Sequence, residues 1–291
     1  MKRNIKISVI AGALILWGFV SLHAQNKYEI SFSGFGGLSA LKYDVTEGSR
    51  NFGFGGGFGL GYHLFFLPQW GVGTGVEFAF YGARYNLDGI DLRYPTKDMD
   101  GATFEFRTKA GAYEEKQSAG LVQIPLMFQY QTGDHQQFFA AFGCKVGVPV
   151  TAKYKTSAVS LQNSGYYSEE NYEYTTRRFA GFDSFNLPAG NSDLTFNAAF
   201  CLSAEIGGKF KLTDANSLYV GVYFDYGLNN MAETKDLPSF IEYNSQNPTD
   251  FAVNSILQSK STQAFTEKIS PMAVGIRLRL AFGKAGMSIN N

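Results

Sequence analysis

The sequence has few of the residues on which catalytic and metal sites depend. Among 291 residues there are 2 Cys and 3 His, and only His63 and His135 lie beyond the N-terminal apolar segment. Neither histidine belongs to a Ser, Asp or Cys arrangement typical of nucleophilic catalysis, and we expect both to be solvated near turns. The Cys and His residues also lack metal-ligand spacing. We therefore expect no enzyme activity, no metal and no cofactor.

Signals for nucleotides and nucleic acids are also missing. The formal net charge is +0, which gives no basic excess for a nucleic-acid partner. The glycine-rich run Gly53-Phe-Gly-Gly-Gly-Phe-Gly59 lacks the G-x-G-x-x-G spacing, and no helical pattern follows it. We interpret these glycines as a bare inner wall that leaves room for long side chains from the opposite side. A small ligand cavity there is the alternative.

Long apolar runs are absent after the first 24 residues. Those residues have the features of a secretory signal: Lys2, Arg3 and Lys6 precede an apolar run over 7–20, and a cleavage point follows Ala24. The run is too short to span a bilayer as a helix. We expect residues 1–24 to be a cleaved signal peptide, with a retained anchor as the alternative.

What the sequence has in abundance is Phe (27), Tyr (17) and Gly (33), arranged with a period of two. The clearest case is the last apolar segment, where residues of an apolar face alternate with Gly275, Arg277, Arg279 and Ala281. Period two predicts a β-strand with one apolar and one polar face. The apolar face comprises Val274, Ile276, Leu278, Leu280 and Phe282.

Seven earlier segments show the same alternation. Short and long connections then follow one another in turn, as in outer-membrane proteins with short periplasmic turns and long extracellular loops. This pattern predicts an all-β fold, an eight-stranded antiparallel up-and-down transmembrane β-barrel over residues 25–282, with a secreted β-sandwich as the alternative. The predicted strands are 28–41, 52–64, 71–85, 121–130, 138–154, 195–210, 218–228 and 271–282.

Two places should disturb the predicted strands. Gly34 to Gly37 blurs the alternation of the first strand and predicts a bulge or kink. Pro125 falls inside the fourth strand, where it predicts a bulge or a missing ladder bond.

The polar faces predict a charged network inside the barrel, because eight strands leave a bore that side chains can fill. Buried charges must pair, and we expect Arg277 and Arg279 to pair with Glu29 and Asp225. We interpret this network as structural and not as a conduction path. Strand parity also puts Cys144 outside and Cys201 inside, so we expect two free thiols. The predicted network comprises Glu29, Glu77, Gln123, Gln129, Lys145, Glu205, Asp225, Arg277 and Arg279.

The predicted loops carry a tyrosine-rich acidic segment that contains Tyr166, Tyr167, Tyr172 and Tyr174. Exposed Tyr is common in recognition surfaces. The same composition also suits a solvated, partly mobile loop, and the sequence leaves both interpretations open.

The fourth and fifth predicted strands, Leu121-Val-Gln-Ile-Pro-Leu-Met-Phe-Gln-Tyr130 and Phe138-Phe-Ala-Ala-Phe-Gly-Cys-Lys-Val-Gly147, resemble the middle of the PorT-like outer-membrane β-barrel family of Bacteroidetes. The resemblance implies a Gram-negative outer-membrane protein that contacts lipid and lipopolysaccharide. It also implies insertion by the barrel-assembly machinery, with the strand from Val274 to Phe282 as the insertion signal. Residues 283–291 would then form a short periplasmic tail.

The family namesake takes part in type IX secretion, but the resemblance alone does not transfer that role. The function we expect is a non-enzymatic structural or surface-interaction scaffold that acts through its long extracellular loops. The alternatives are an accessory role in type IX-like secretion and a narrow solute channel.

Overall fold

The computed structural model describes residues 27–42, 48–132, 137–232, 237–260 and 268–283. The predicted signal peptide, most of the predicted tail, and His135 lie outside these ranges. Two short 3-10 helices, Arg178–Ala180 and Ile256–Gln258, accompany sixteen strands in the described residues. The strands are β1 (Lys27–Lys42), β2 (Ser49–Phe65), β3 (Trp70–Leu87), β4 (Ile90–Lys97), β5 (Thr103–Ala110), β6 (Tyr113–Gln131), β7 (Gln137–Thr156), β8 (Val159–Tyr167), β9 (Tyr172–Tyr174), β10 (Ser184–Leu187), β11 (Asn191–Asp193), β12 (Ala199–Lys211), β13 (Asn216–Gly227), β14 (Ile241–Glu242), β15 (Ala252–Val253) and β16 (Ser270–Gly283).

Eight of these strands form a closed antiparallel ring. The order is β1, β2, β3, β6, β7, β12, β13 and β16, and β16 pairs with β1 again. The prediction of an eight-stranded closed antiparallel sheet is therefore confirmed. Each predicted strand corresponds to one ring strand, although several ring strands begin earlier or end later than their patterns indicated, and β12 begins at Ala199 and not at residue 195.

The outer face of the ring exposes mainly apolar side chains, whereas the inner face buries charged and polar side chains together with aromatic rings such as Phe139. On β16, Ile276 is 59% exposed whereas Arg277 and Arg279 are each 6% exposed. This follows from the period of two, since successive side chains point to opposite faces of a sheet. No helix among the described residues is long and apolar enough to cross a membrane. We call the exposed side chains of the outer face the apolar belt; it includes Phe32, Phe58, Leu60, Val76, Phe128, Phe142, Ile206, Val222 and Ile276.

Two inward glycines of the ring make room for aromatic rings on the adjacent strand. A Cβ on Gly73 would lie 2.4 Å from the His63 ring, and a Cβ on Gly57 would lie 2.7 Å from the Phe35 ring. Gly73 is the register partner of His63, and Gly57 is the partner of Phe35. These two glycines thus accommodate rings from a neighbouring strand, a use of the space that we did not predict.

Pro125 interrupts the ladder between β3 and β6 without changing the register. Thr74 pairs with Leu126 and Glu77 pairs with Gln123, but the residues between them are not paired across the two strands. The Thr74 hydroxyl donates to the Pro125 carbonyl at 2.8 Å. The predicted missing ladder is confirmed, and it follows from the missing amide hydrogen of proline.

The bulge predicted at Gly34 to Gly37 is wrong. Strand β1 keeps a continuous register with both β2 and β16 through these residues. Register shifts occur instead between Phe52 and Gly56 on β2 and between Gly120 and Leu121 on β6. Small residues blur the alternation of side chains there without shifting the register.

The described parts of the three long connections are folded, which the sequence did not predict. They leave the ring at one end and contain β4 and β5, then β8 to β11, then β14 and β15. Strands β10, β8, β5 and β4 form a second sheet in that order, and β9 joins it on β8. We call residues 88–112, 157–198, 228–232 and 237–260 the cap.

The cap has an aromatic core of its own. Phe104 and Phe106 are 2% and 0% exposed. The Tyr243 ring centroid lies 5.2 Å from each of theirs, and the Phe182 centroid lies 5.4 Å from that of Phe104. The Tyr94 hydroxyl donates to the Ile241 carbonyl at 2.9 Å, and burial raises the pKa of Tyr94 to about 12. Apolar burial and these cross-loop bonds make the cap one packed unit.

Candidate functional site

The lumen, meaning the interior of the ring, contains a first charged cluster near its middle. The Lys145 ammonium lies 3.0 Å from Asp225 Oδ2 and 3.1 Å from Glu77 Oε2. Arg277 donates to both carboxylate oxygens of Glu77. The Ser203 hydroxyl donates to Asp225 Oδ1 at 2.6 Å. Because each carboxylate has a cationic partner, the cluster can stay buried in its charged form.

A second cluster lies toward the end of the ring opposite the cap. Lys209 Nζ donates to Glu29 Oε1 at 2.8 Å, and the Tyr219 hydroxyl donates to Glu29 Oε2 at 2.6 Å. Arg279 places one nitrogen 2.5 Å from His63 Nε2 and donates to Gln129 Oε1 at 2.7 Å. Its guanidinium carbon also lies 4.0 Å from the Tyr219 ring centroid, a cation–π contact.

The structure places all nine predicted network residues inside the ring, each 9% exposed or less. The predicted partners of the two arginines are wrong, however. Arg277 contacts Glu77 and Glu205, while Arg279 contacts His63 and Gln129.

The cause of this error is strand register. Asp225 is level with Ala273 on β16, four residues from Arg277, and Glu29 is level with Gly283, four residues from Arg279. Four residues of strand span roughly 13 Å. The neighbouring carboxylates were therefore beyond reach, and Arg277 instead contacts β3 through the lumen.

Sequence reasoning missed the role of His63. We expected it to be solvated near a turn, but it is 8% exposed and accepts a hydrogen bond from Arg279 at its Nε2 atom. The signal that could have identified it is parity, since His63 shares the inward face of β2 with Gly59 and Gly61. We gave more weight to the position of His63 in the sequence, which is two residues before the end of β2.

The free thiols agree with the predicted parity. Cys144 is exposed on the outer face and Cys201 is buried inside, and neither forms a disulfide. The two side chains lie on opposite sides of the ring wall, which the geometry of a disulfide cannot cross.

At the cap end, the third long connection folds back over the mouth of the ring. The 3-10 helix Ile256–Gln258 buries Ile256 and Leu257 in the same apolar cluster as Leu41 of β1 and Ala273 of β16. Tyr154 of β7 donates to the Val253 carbonyl at 3.2 Å. We call residues 253–259 the plug segment.

A buried carboxylate holds the plug segment. Glu115 of β6 is 0% exposed and accepts hydrogen bonds from Ser255 Oγ at 2.6 Å and from the Ile256 amide at 3.1 Å. Tyr113 and Gln117 donate to the same carboxylate at 2.7 and 2.8 Å. In the described part of the chain no ion pair involves Glu115, and burial raises its pKa. It lies beyond the apolar belt, beside the polar Glu114 and Lys116 on the outer face.

The four predicted loop tyrosines lie on and beside the hairpin of β8 and β9. Tyr167 stacks on Phe104 at 5.1 Å and donates to Asp98, which makes it part of the cap core. Tyr174 donates to Glu170 at 2.5 Å, and Tyr166 donates to Asn171 at 2.8 Å. Tyr172 is the most open of the four, at 57% exposed. This segment is hydrogen-bonded β structure, so its side chains are held in defined positions.

The closed ring exposes apolar side chains on its outer face and buries charged side chains on its inner face. These two features define an outer-membrane type of β-barrel fold. In agreement, residues 23–233 match the family described as outer membrane protein beta-barrel domain, and the chain belongs to that family. Among solved structures it is similar to the outer membrane protein OprG from Pseudomonas aeruginosa, with 12% identity over 89% of this chain and 94% of that chain. The TM-score between the two structures is 0.32. No curated protein matches the chain.

Proposed function

We propose that this protein is a non-enzymatic, non-conducting outer-membrane β-barrel that holds its folded cap at the cell surface as a recognition platform. The observation that carries the proposal is that the lumen and its outer mouth are both filled. Charged clusters pack the interior, and the plug segment packs over them. A barrel filled in this way serves as a support for the cap.

Membrane placement rests on the apolar belt. Phe54, Phe142 and Ile206 are 69%, 65% and 64% exposed on the outer face, which would be unfavourable in water. Backbone groups facing lipid must be paired within the wall, and a closed ring provides this pairing. We place the short turns in the periplasm and the cap outside the cell, with export directed by residues 1–24.

The partners that we propose in the membrane follow from the same placement. Outer-membrane lipid and lipopolysaccharide would surround the apolar belt, and the barrel-assembly machinery would insert the chain through the strand that ends at Phe282. Assignment to the PorT-like branch is supported by the Ile124-Pro125-Leu126 motif.

The recognition platform is the free end of the cap. Phe179 is 73% exposed, Met99 is 66% exposed and Tyr172 is 57% exposed. Arg177 lies 3.8 Å from the Tyr174 ring centroid, which restrains both side chains. Aromatic residues, Met and Arg are enriched in binding interfaces, and a restrained surface loses little entropy on binding.

Planar-bilayer recordings of the refolded full chain test the closed interior. We expect no discrete conductance steps from protein that shows a heat-dependent shift in gel migration, the sign of a folded barrel. Reproducible steps would overturn the proposal and favour the alternative of a narrow solute channel.

Affinity capture from outer membranes tests the platform. We expect partners captured by the wild type to be lost with the double variant Tyr172→Ser and Phe179→Ser. The matched control is Phe66→Ser with Leu67→Ser, on a turn at the opposite end of the ring, where both side chains are also exposed. Equal capture by both variants would contradict a role for the cap surface. Loss of secreted cargo on deletion of the gene would favour the secretion alternative.

A further inference from the structure

The lumen contains a small polar cavity of about 40 Å³ where the two charged clusters meet. Arg277 and Glu205 of the first cluster and Arg279 and His63 of the second border it. Gly61 and Gly73 also line it, and their lack of side chains leaves the space open. A space of this size admits a water molecule but no organic solute.

Two ionised groups at this cavity, the Arg279 guanidinium and the Glu205 carboxylate, are incompletely satisfied by their direct contacts. Three lumen cations, Lys145, Lys209 and Arg277, each have a carboxylate within 4 Å. Among the described residues, no such ion pair involves Arg279, whose hydrogen-bond partners are the neutral His63 and Gln129. Among the described residues, Glu205 forms an ion pair only with Arg277, whose Nε lies 3.7 Å from Glu205 Oε2, which is too long for a good hydrogen bond.

Three buried, unsatisfied atoms belong to residues that line this cavity. Arg279 Nε, Arg277 Nε and Glu205 Oε1 are buried without hydrogen-bond partners, while Arg277, Arg279 and Glu205 are only 6%, 6% and 9% exposed. Two are donors and one is an acceptor. Leaving such groups unpaired in a buried site is costly, more so when they are charged.

We propose that this cavity is a binding site for an ordered water molecule that bridges Arg279 to Glu205. The water accepts hydrogen bonds from the two Nε–H groups and donates one to Glu205 Oε1. A neutral ligand fits because the charged groups at the cavity balance: Arg277 and Arg279 against Glu77 and Glu205. Through this water, Arg279 interacts with a carboxylate, which its direct contacts lack. The same contact joins the two clusters into one network.

A crystal structure of the full chain, at a resolution that orders internal solvent, tests the site directly. We expect a solvent peak within hydrogen-bond distance of both Arg279 Nε and Glu205 Oε1. A parallel bromide soak should give no anomalous peak there. A bromide peak would identify an anion site and overturn the assignment of a neutral ligand. A dry cavity, or direct contact between Arg279 and Glu205, would also overturn the proposal.

A double-mutant cycle gives an independent test in solution. The pair Arg279→Met and Glu205→Met should be non-additive, by about 2- to 150-fold in the unfolding equilibrium constant. The control cycle joins Arg279→Met to Asp225→Asn, because Asp225 is bonded to Lys145 and Ser203 and does not border the cavity. Equal coupling in both cycles would mean that the coupling comes from long-range electrostatics in the lumen. That result would overturn the proposal of a bridging water.

Discussion

Replacing Arg277 tests whether the charged lumen stabilises the ring. Arg277 is 6% exposed and donates to both oxygens of Glu77, and its Nε lies 3.7 Å from Glu205. In Arg277→Met, Glu77 keeps Lys145 as a partner, but Glu205 loses the only cation with which it forms an ion pair among the described residues. Removing one partner of a buried ion pair costs about 3–5 kcal/mol. The unfolding equilibrium should therefore shift by more than about 100-fold.

The matched control is Arg84→Met. The Arg84 side chain is 51% exposed and lies 3.9 Å from Glu114, so its pair is worth about 0–1 kcal/mol. Equilibrium urea unfolding in lipid vesicles, followed by tryptophan fluorescence and gel migration, measures both variants. Adding Glu205→Gln to Arg277→Met should recover part of the loss, because it removes the unpaired charge. Equal effects of Arg277→Met and Arg84→Met would refute the reasoning.

Three further outcomes are expected. Because burial raises the pKa of Glu115 in the folded state, its contribution to cap stability is fully present below the unfolded pKa and is lost as pH rises through the folded pKa. Limited proteolysis of the cap should therefore become faster from acidic to neutral pH in the wild type. In Glu115→Gln this dependence should be weaker, and an unchanged profile would contradict the role of Glu115. Phe106→Ala should destabilise the cap by about 3–5 kcal/mol, seen as faster cleavage within residues 88–112, while heat-dependent migration of the ring persists; loss of that migration would show that the ring needs the cap. Gly73→Ala should cost about 1–3 kcal/mol in urea unfolding, because its Cβ would lie 2.4 Å from the His63 ring, whereas Gly34→Ala meets open space and should cost less. Similar losses would mean that glycine acts there through backbone freedom and not through space.

The cap shows where sequence reasoning fell short. Ile90, Leu92, Phe104 and Phe106 alternate with polar residues as the ring strands do, yet each run is only 8 residues long and lies within a polar stretch. The buried Phe104 ring packs against partners more than 70 residues away, Phe182 and Tyr243. A local pattern cannot reveal a core formed by segments so far apart in the chain.

The sequence by itself determined the ring. A period of two requires that one face be polar and the other apolar, and eight such segments with alternating short and long connections imply an antiparallel closed sheet. It also determined which side chains point inward, because parity is a local property of a strand. The inward set of Glu, Lys, Arg and Gln residues follows from parity alone.

Only the tertiary structure decided which inward residues meet. Pairing depends on register and on the reach of a side chain across the lumen, and a shift of four residues moves a neighbour by roughly 13 Å. Arg277 therefore contacts Glu77 on β3, and Arg279 contacts His63 on β2. The plug segment depends equally on long-range contacts, since Glu115 binds residues about 140 positions further along the chain.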